Sequence, residues 1–167
     1  MPDQIPVAFG DAGWDGVNVE DNTIYGGSLF TFDTYDSSNA LFRNNIVHVG
    51  SPFGGYCGIV GGGYHWKDWR VFENQFYLHP VMNQGIVVNG NVVNMEISGN
   101  WFFAEGDARG LAEVPILNLH GSGIVLRSNR FDPQLAKLFQ GRVSIARDNV
   151  FFDGRLVDGI GGNVRSH

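Results

Sequence analysis

Strand sequences usually avoid a polar amide between two apolar runs, yet one element of this 167-residue chain repeats that arrangement six times. In "MEISGNWF" an apolar residue, any residue, an apolar residue and two polar ones precede Asn100, and any residue and then an apolar one follow it. The same pattern places Asn22 in "VNVEDNTI", Asn45 in "ALFRNNIV", Asn74 in "WRVFENQF", Asn129 in "IVLRSNRF" and Asn149 in "SIARDNVF". Successive asparagines are 23, 29, 26, 29 and 20 residues apart. A short conserved element joined by connections of unequal length is the mark of a solenoid, in which each repeat buries its apolar side only by stacking on its neighbours.

Within a repeat, Met95, Ile97 and Phe102 fall on one side of a period-two strand, and Ser98-Gly99, like Glu20-Asp21 or Arg127-Ser128, forms a polar corner. Asparagine tolerates the left-handed backbone of a sharp bend, and its amide both donates and accepts. The six residues are therefore expected to occupy the corners and to form a ladder from repeat to repeat. A second apolar run recurs in step as "SLFTF", "CGIV", "GIVV", "PILNL", "KLF" and "RLV". Two or three parallel strands per coil, spaced about 4.8 Å, predict a column roughly 29 Å long over six coils.

Composition agrees with an all-β chain. It holds 24 Gly, 15 Asn and 13 Phe, with only 17% charged residues, and so favours turns and strands over helices. The length suits one domain. A net charge of -6 offers no electrostatic footprint for nucleic acid. Cys57, the single cysteine, lies in apolar "GGYCGIV" and reads as a buried structural thiol. The first residues carry no secretory signal pattern and no run approaches 18 apolar residues, so a soluble chain is expected, with no membrane partner; its location is left open, and a virion or extracellular setting would require release by another route or excision from a longer protein.

The I-x-x-N-x-F units resemble the coils of right-handed parallel β-helix proteins, the pectate-lyase-like superfamily that includes phage tailspikes, alginate epimerases and NosD-type repeat proteins. The resemblance covers about residues 17 to 158, leaving 1–16 as a possible N-terminal cap and 159–167 as a tail. The leucine-rich repeat is the rival, since it shares the strand and the asparagine. It also needs an apolar residue eight before each Asn, where this chain has Trp14, Ser37, Trp66, Val92, Gly121 and Gly141, so half of the positions fail.

Three connections that follow the N-x-apolar step are long: "HVGSPFGGY", "YLHPVMNQ" and "FAEGDARGLAEV". Stacking should make them neighbours on one surface bearing His48, Tyr56, His79, Glu105, Asp107 and Arg109. No H-x-x-x-H or paired cysteine supports a metal site there, and no cofactor is expected. For polysaccharide cleavage or epimerisation, Glu105, Asp107 and Arg109 are the residues that would carry the chemistry. The N-T-D, D-D and G-H-G triplets of polygalacturonases, the D-P-H-D epimerase signature and the Arg-rich lyase signature are absent; "LHGSG" lacks the glycine before His120. In "YHWKDW", Tyr64 and Trp66 are candidates for stacking on sugar rings, whereas Trp69 occupies an inward strand position and reads as core. "FDPQLAKLF" predicts one helical turn, with Asp132 as cap and Pro133 in the first position. The ends of such a column need covering, which favours a homo-oligomer, a trimer above others. The expectation is thus a non-enzymatic structural or adhesive part of an assembly that contacts a protein or glycan, with a polysaccharide lyase, hydrolase or epimerase, or a fragment of one, as the alternative. A NosD-like metal-delivery repeat is a third reading, and it requires stoichiometric metal uptake.

Overall fold

The structure, a computed structural model, describes residues 7–8, 14–25, 32–34, 37–49, 57–61, 65–78, 84–106 and 115–157. Among these no residue is helical. The chain runs through β1 (Val7–Ala8), β2 (Trp14–Asp15), β3 (Asn18–Glu20) and β4 (Thr23–Tyr25). The order then repeats as β5 (Phe32–Thr34), β6 (Ser37–Ser38), β7 (Leu41–Arg43) and β8 (Ile46–Val49). Next come β9 (Cys57–Gly61), β10 (His65–Phe72) and β11 (Gln75–Leu78), followed by β12 (Gln84–Ser98) and β13 (Trp101–Ala104). The last levels are β14 (Leu117–Arg127) with β15 (Arg130–Phe131), and β16 (Phe139–Gly141), β17 (Ile145–Arg147) and β18 (Val150–Phe151).

These strands form two parallel sheets. The second holds β4, β8, β11, β13, β15 and β18 in chain order, and the first holds the other twelve. This arrangement is compatible with a parallel β-helix. It leaves no described helix of the kind a leucine-rich repeat usually places after its strand.

Period-two alternation decides what faces inward. On the second sheet Ile24, Val47, Phe76, Phe102, Phe131 and Phe151 align in register and are all buried. Because the strand spacing is about 4.8 Å, equivalent phenyl rings must stack, and Phe76, Phe102 and Phe131 do so at 5.0 Å and interplanar angles of 6° and 8°. Val19, Phe42, Val71, Ile97 and Leu126 form the facing row of the first sheet. Met95 and Trp69 are buried beside them, as the alternation requires.

Between the two sheets runs the asparagine ladder. The backbone N–H and Nδ2 of Asn45 donate to Asn74 Oδ1 at 2.9 and 3.0 Å, and those of Asn74 donate to Asn100 Oδ1 at 3.0 and 2.9 Å. Asn100 donates in the same way to Asn129, and Asn129 to Asn149. The amides of Asn45, Asn74, Asn100, Asn129 and Asn149 also reach across to a carbonyl of the previous level: Asn100 Nδ2 donates to Val71 O and Asn129 Nδ2 to Ile97 O, both at 2.9 Å. Five of the six asparagines are buried.

Three expectations change. The left-handed residue is the one before each ladder Asn: Asp21, Asn44, Glu73, Gly99, Ser128 and Asp148 have φ between 51° and 64°. The ladder asparagines are kept for their side-chain hydrogen bonds. Residues 132–138 make a turn and an irregular run, not a helical turn; Asp132 Oδ1 accepts from Gln134 N–H at 2.9 Å, and Leu135, Leu138 and Phe139 still pack into the core. "RLV" does not continue the column, because Leu156 folds back antiparallel to Val150 and is 63% exposed. Within the segment expected as a cap, Val7–Ala8 and Trp14–Asp15 pair into the first sheet.

A second left-handed row, Gly16, Asn39, Asp68, Asn94 and Gly123, bends the first sheet before its inward-facing strands. Gly123 combines φ 69° with close packing, since a Cβ there would lie 2.6 Å from Asn94 Oδ1. Asn100→Ala removes the acceptor for two Asn74 donors and a donor to the Val71 carbonyl, so it should cost about 3 kcal/mol. Asn22→Ala, at the exposed start of the ladder, should cost less than about 1 kcal/mol. Urea unfolding of the two variants checks this, and equal losses would contradict a ladder that stabilises through burial.

Candidate functional site

The solvent side of the second sheet carries a continuous row of rings. Alternation turns Phe76 and Leu78 inward and therefore Gln75 and Tyr77 outward, and the same parity sends out Tyr25, His48 and Phe103. Strand spacing again forces them to stack. Tyr25 and His48 lie 4.7 Å apart at 7°, His48 and Tyr77 4.9 Å at 16°, and Tyr77 and Phe103 4.7 Å at 11°. Asp132 leaves the row because its carboxylate turns to the backbone, with Oδ2 accepting from Ala104 N–H at 3.3 Å. Phe152 fills the space and meets Phe103 at 4.9 Å, tilted by 46°. Trp101 lies alongside, 5.6 Å from Phe152, with the Arg130 guanidinium 4.9 Å over its ring.

This geometry limits what the row can bind. Rings stacked face to face offer their edges to solvent, whereas a sugar packs its C–H face on a ring face. Tyr25, 67% exposed at the end of the row, is open to solvent; Trp101, 40% exposed, has Arg130 over one face. An edge-on aromatic stripe suits a flat apolar protein surface better than a pyranose chain.

Two of the expected loop-face residues come together here. His48 Nδ1 lies 3.9 Å from Glu105 Oε1, which joins the ring row to the start of the longest connection. Trp66 lies in β10, with its side chain outside the described residues, as are Tyr56, Tyr64, His79, Asp107 and Arg109 in full. Trp69 is core. Among the described residues no group of three His, Cys, Asp or Glu side chains could hold a metal ion.

The outer side of the first sheet holds two adjoining shallow concavities that share Arg70 and Glu96. One is completed by Phe72, Glu73, Ser98 and Arg127. Glu96 Oε1 forms an ion pair with Arg127 Nη2 at 2.5 Å and accepts from Arg127 Nε at 2.8 Å and from Ser98 Oγ at 2.9 Å. Partial burial opposes ionisation and is the largest single influence on this carboxyl, but the Ser98 and Arg127 hydrogen bonds, with the charges of Arg127 and Arg70, together hold it below its ordinary range. The sequence signal for this cluster was weak, because Arg70, Glu96 and Arg127 stand 26 and 31 residues apart and only register unites them.

A depressed carboxylate stabilises the fold above the ordinary Glu value of 4.5, and that contribution is lost as pH falls through the folded-state value. Wild type should exceed Glu96→Gln by under about 1 kcal/mol at neutral pH, with the gap closing on acidification below pH 4.5. Urea midpoints across pH 3 to 7 check the sign; a gap that widens toward acid would contradict it. Comparison of the chain with family models, with curated proteins and with solved structures gives no match.

Proposed function

We propose that this chain is a right-handed parallel β-helix of about six coils, related to the pectate-lyase-like superfamily, that serves as a non-enzymatic structural or adhesive part of a larger assembly such as a virion surface. The observation that carries the reading is the outward row of Tyr25, His48, Tyr77, Phe103 and Phe152. An apolar stripe along a solvent-facing sheet is a surface that association covers. The stripe leads into the long connections, so a protein partner, or a glycan held by the connections themselves, would meet both. Three copies packing these stripes together is the assembly this reading favours.

A second reading, a polysaccharide lyase, hydrolase or epimerase, draws support from Glu73, Glu96, Arg70 and Arg127 in one concavity. Glu96 is tied to Arg127 and held ionised, which removes it as a proton donor. Glu105 follows β13 of the second sheet and lies beside His48, whereas that cluster lies on the first sheet.

Light scattering coupled to size exclusion should give three times the 18.4 kDa chain mass at micromolar concentration. Tyr77→Glu with Phe103→Glu, on the solvent side, should give monomers with an unchanged far-ultraviolet spectrum. A wild-type monomer, or a trimer indifferent to both charges, would contradict the proposal. New reducing ends or unsaturated products from a polysaccharide panel, lost in Asp107→Asn or Arg109→Ala, would establish the second reading instead.

A further inference from the structure

Both ladders, and the strand pairing itself, stop unfinished at the same edge. In every later level the residue after the ladder Asn donates its N–H to the previous ladder carbonyl: Ile46 to Asn22, Gln75 to Asn45, Trp101 to Asn74 and Arg130 to Asn100. Thr23 occupies that position in β4, the terminal strand of the second sheet, and no described strand lies beyond it. Each later ladder Oδ1 accepts two N–H groups from the level before, whereas among the described residues nothing donates to Asn22 Oδ1. Among the described residues only His48 stacks on Tyr25, against one of its faces. Asn22, Thr23 and Tyr25 are all exposed.

The opposite edge is closed. Phe151 N–H donates to Arg155 O at 2.8 Å and Val157 N–H to Asn149 O at 2.9 Å, so the turn after β18 uses the groups a further strand would need. A second copy therefore cannot add head to tail, and head to head it would run antiparallel and place no asparagine against Asn22. Residues 1–13 contain no asparagine either.

We infer that the exposed edge of β4 is a docking strand that takes a parallel strand from a different polypeptide, one bearing Asn-x-apolar-aromatic. The incoming Asn would donate its N–H and amide to Asn22 Oδ1, its backbone would pair with Thr23 and Tyr25, and its aromatic residue would cover the free face of Tyr25. Backbone pairing supplies affinity in such strand addition, and the side-chain ladder fixes register. The occupant is thus specified by chemistry at three points.

The probe is a fluorescent peptide carrying this chain's own residues 41 to 49, LFRNNIVHV, titrated with the full chain and followed by anisotropy. Binding is expected, with at least a tenfold loss when the peptide's second asparagine, the equivalent of Asn45, is alanine. Thr23→Pro should abolish binding while leaving the fold intact, because that N–H faces the open side and proline is tolerated at the first residue of an edge strand. The paired Tyr77→Glu and Phe103→Glu chain should still bind, which separates this edge from the face proposed for the trimer. No binding by the wild-type chain, or equal binding by Thr23→Pro, would overturn the inference. So would a solution mass that falls in Thr23→Pro, which would assign the edge to a second copy.

Discussion

A column of buried carboxamides sets the terms for the rest of this structure. An unpaired amide in an apolar interior is costly, whereas one whose donors and acceptor are all used holds its neighbours at a fixed distance. Asn74 shows the full case: its Oδ1 accepts from Asn45, and its Nδ2 donates to Phe42 O, Phe72 O and Asn100 Oδ1. Shifting one level by a single residue would bury an apolar side chain against two unpaired amides. Register is thereby fixed for both sheets at once, which is why the interior phenyl ladder and the exterior ring row can each form without further instruction.

The repeat was legible because its energetics act locally and identically at every level. Trp69, Met95 and Ile97 could be assigned inward from alternation alone. The corner was misread by one residue: asparagine is a good left-handed residue, but here the demand for a side chain that both donates and accepts outweighs it, and Asp21, Glu73 or Ser128 can bear the left-handed backbone instead. The turn at 132–138 was misread because Asp132 and Pro133 serve a tight turn as readily as a helix start. The exterior ring row was available in the sequence, since Tyr25, His48, Tyr77, Phe103 and Phe152 each lie three residues after a ladder asparagine. The Arg70, Glu96 and Arg127 cluster was not available, because variable connections hide which positions share a row.

Uniformity of this kind places function in the departures from it. The interior rows of successive levels are interchangeable, so they carry shape and rigidity and no specificity. Chemistry that differs from level to level appears on the outer faces, where a ring row, a mixed-charge concavity and one unfinished edge each break the repetition in a different way. These departures are where the proposed role as part of an assembly would be exercised, since the repeated interior offers no means of telling one partner from another.

Asn45, Asn74, Asn100 and Asn129 are buried, bonded on both sides and jointly responsible for register. Side-chain carboxamide exchange, followed by NMR on protein labelled at asparagine nitrogen, reads this directly. Asn45, Asn74, Asn100 and Asn129 should exchange only through global unfolding, with protection tracking denaturant stability, while Asn22 exchanges freely. Rapid exchange at the four interior amides would show that they are hydrated and that register has another origin.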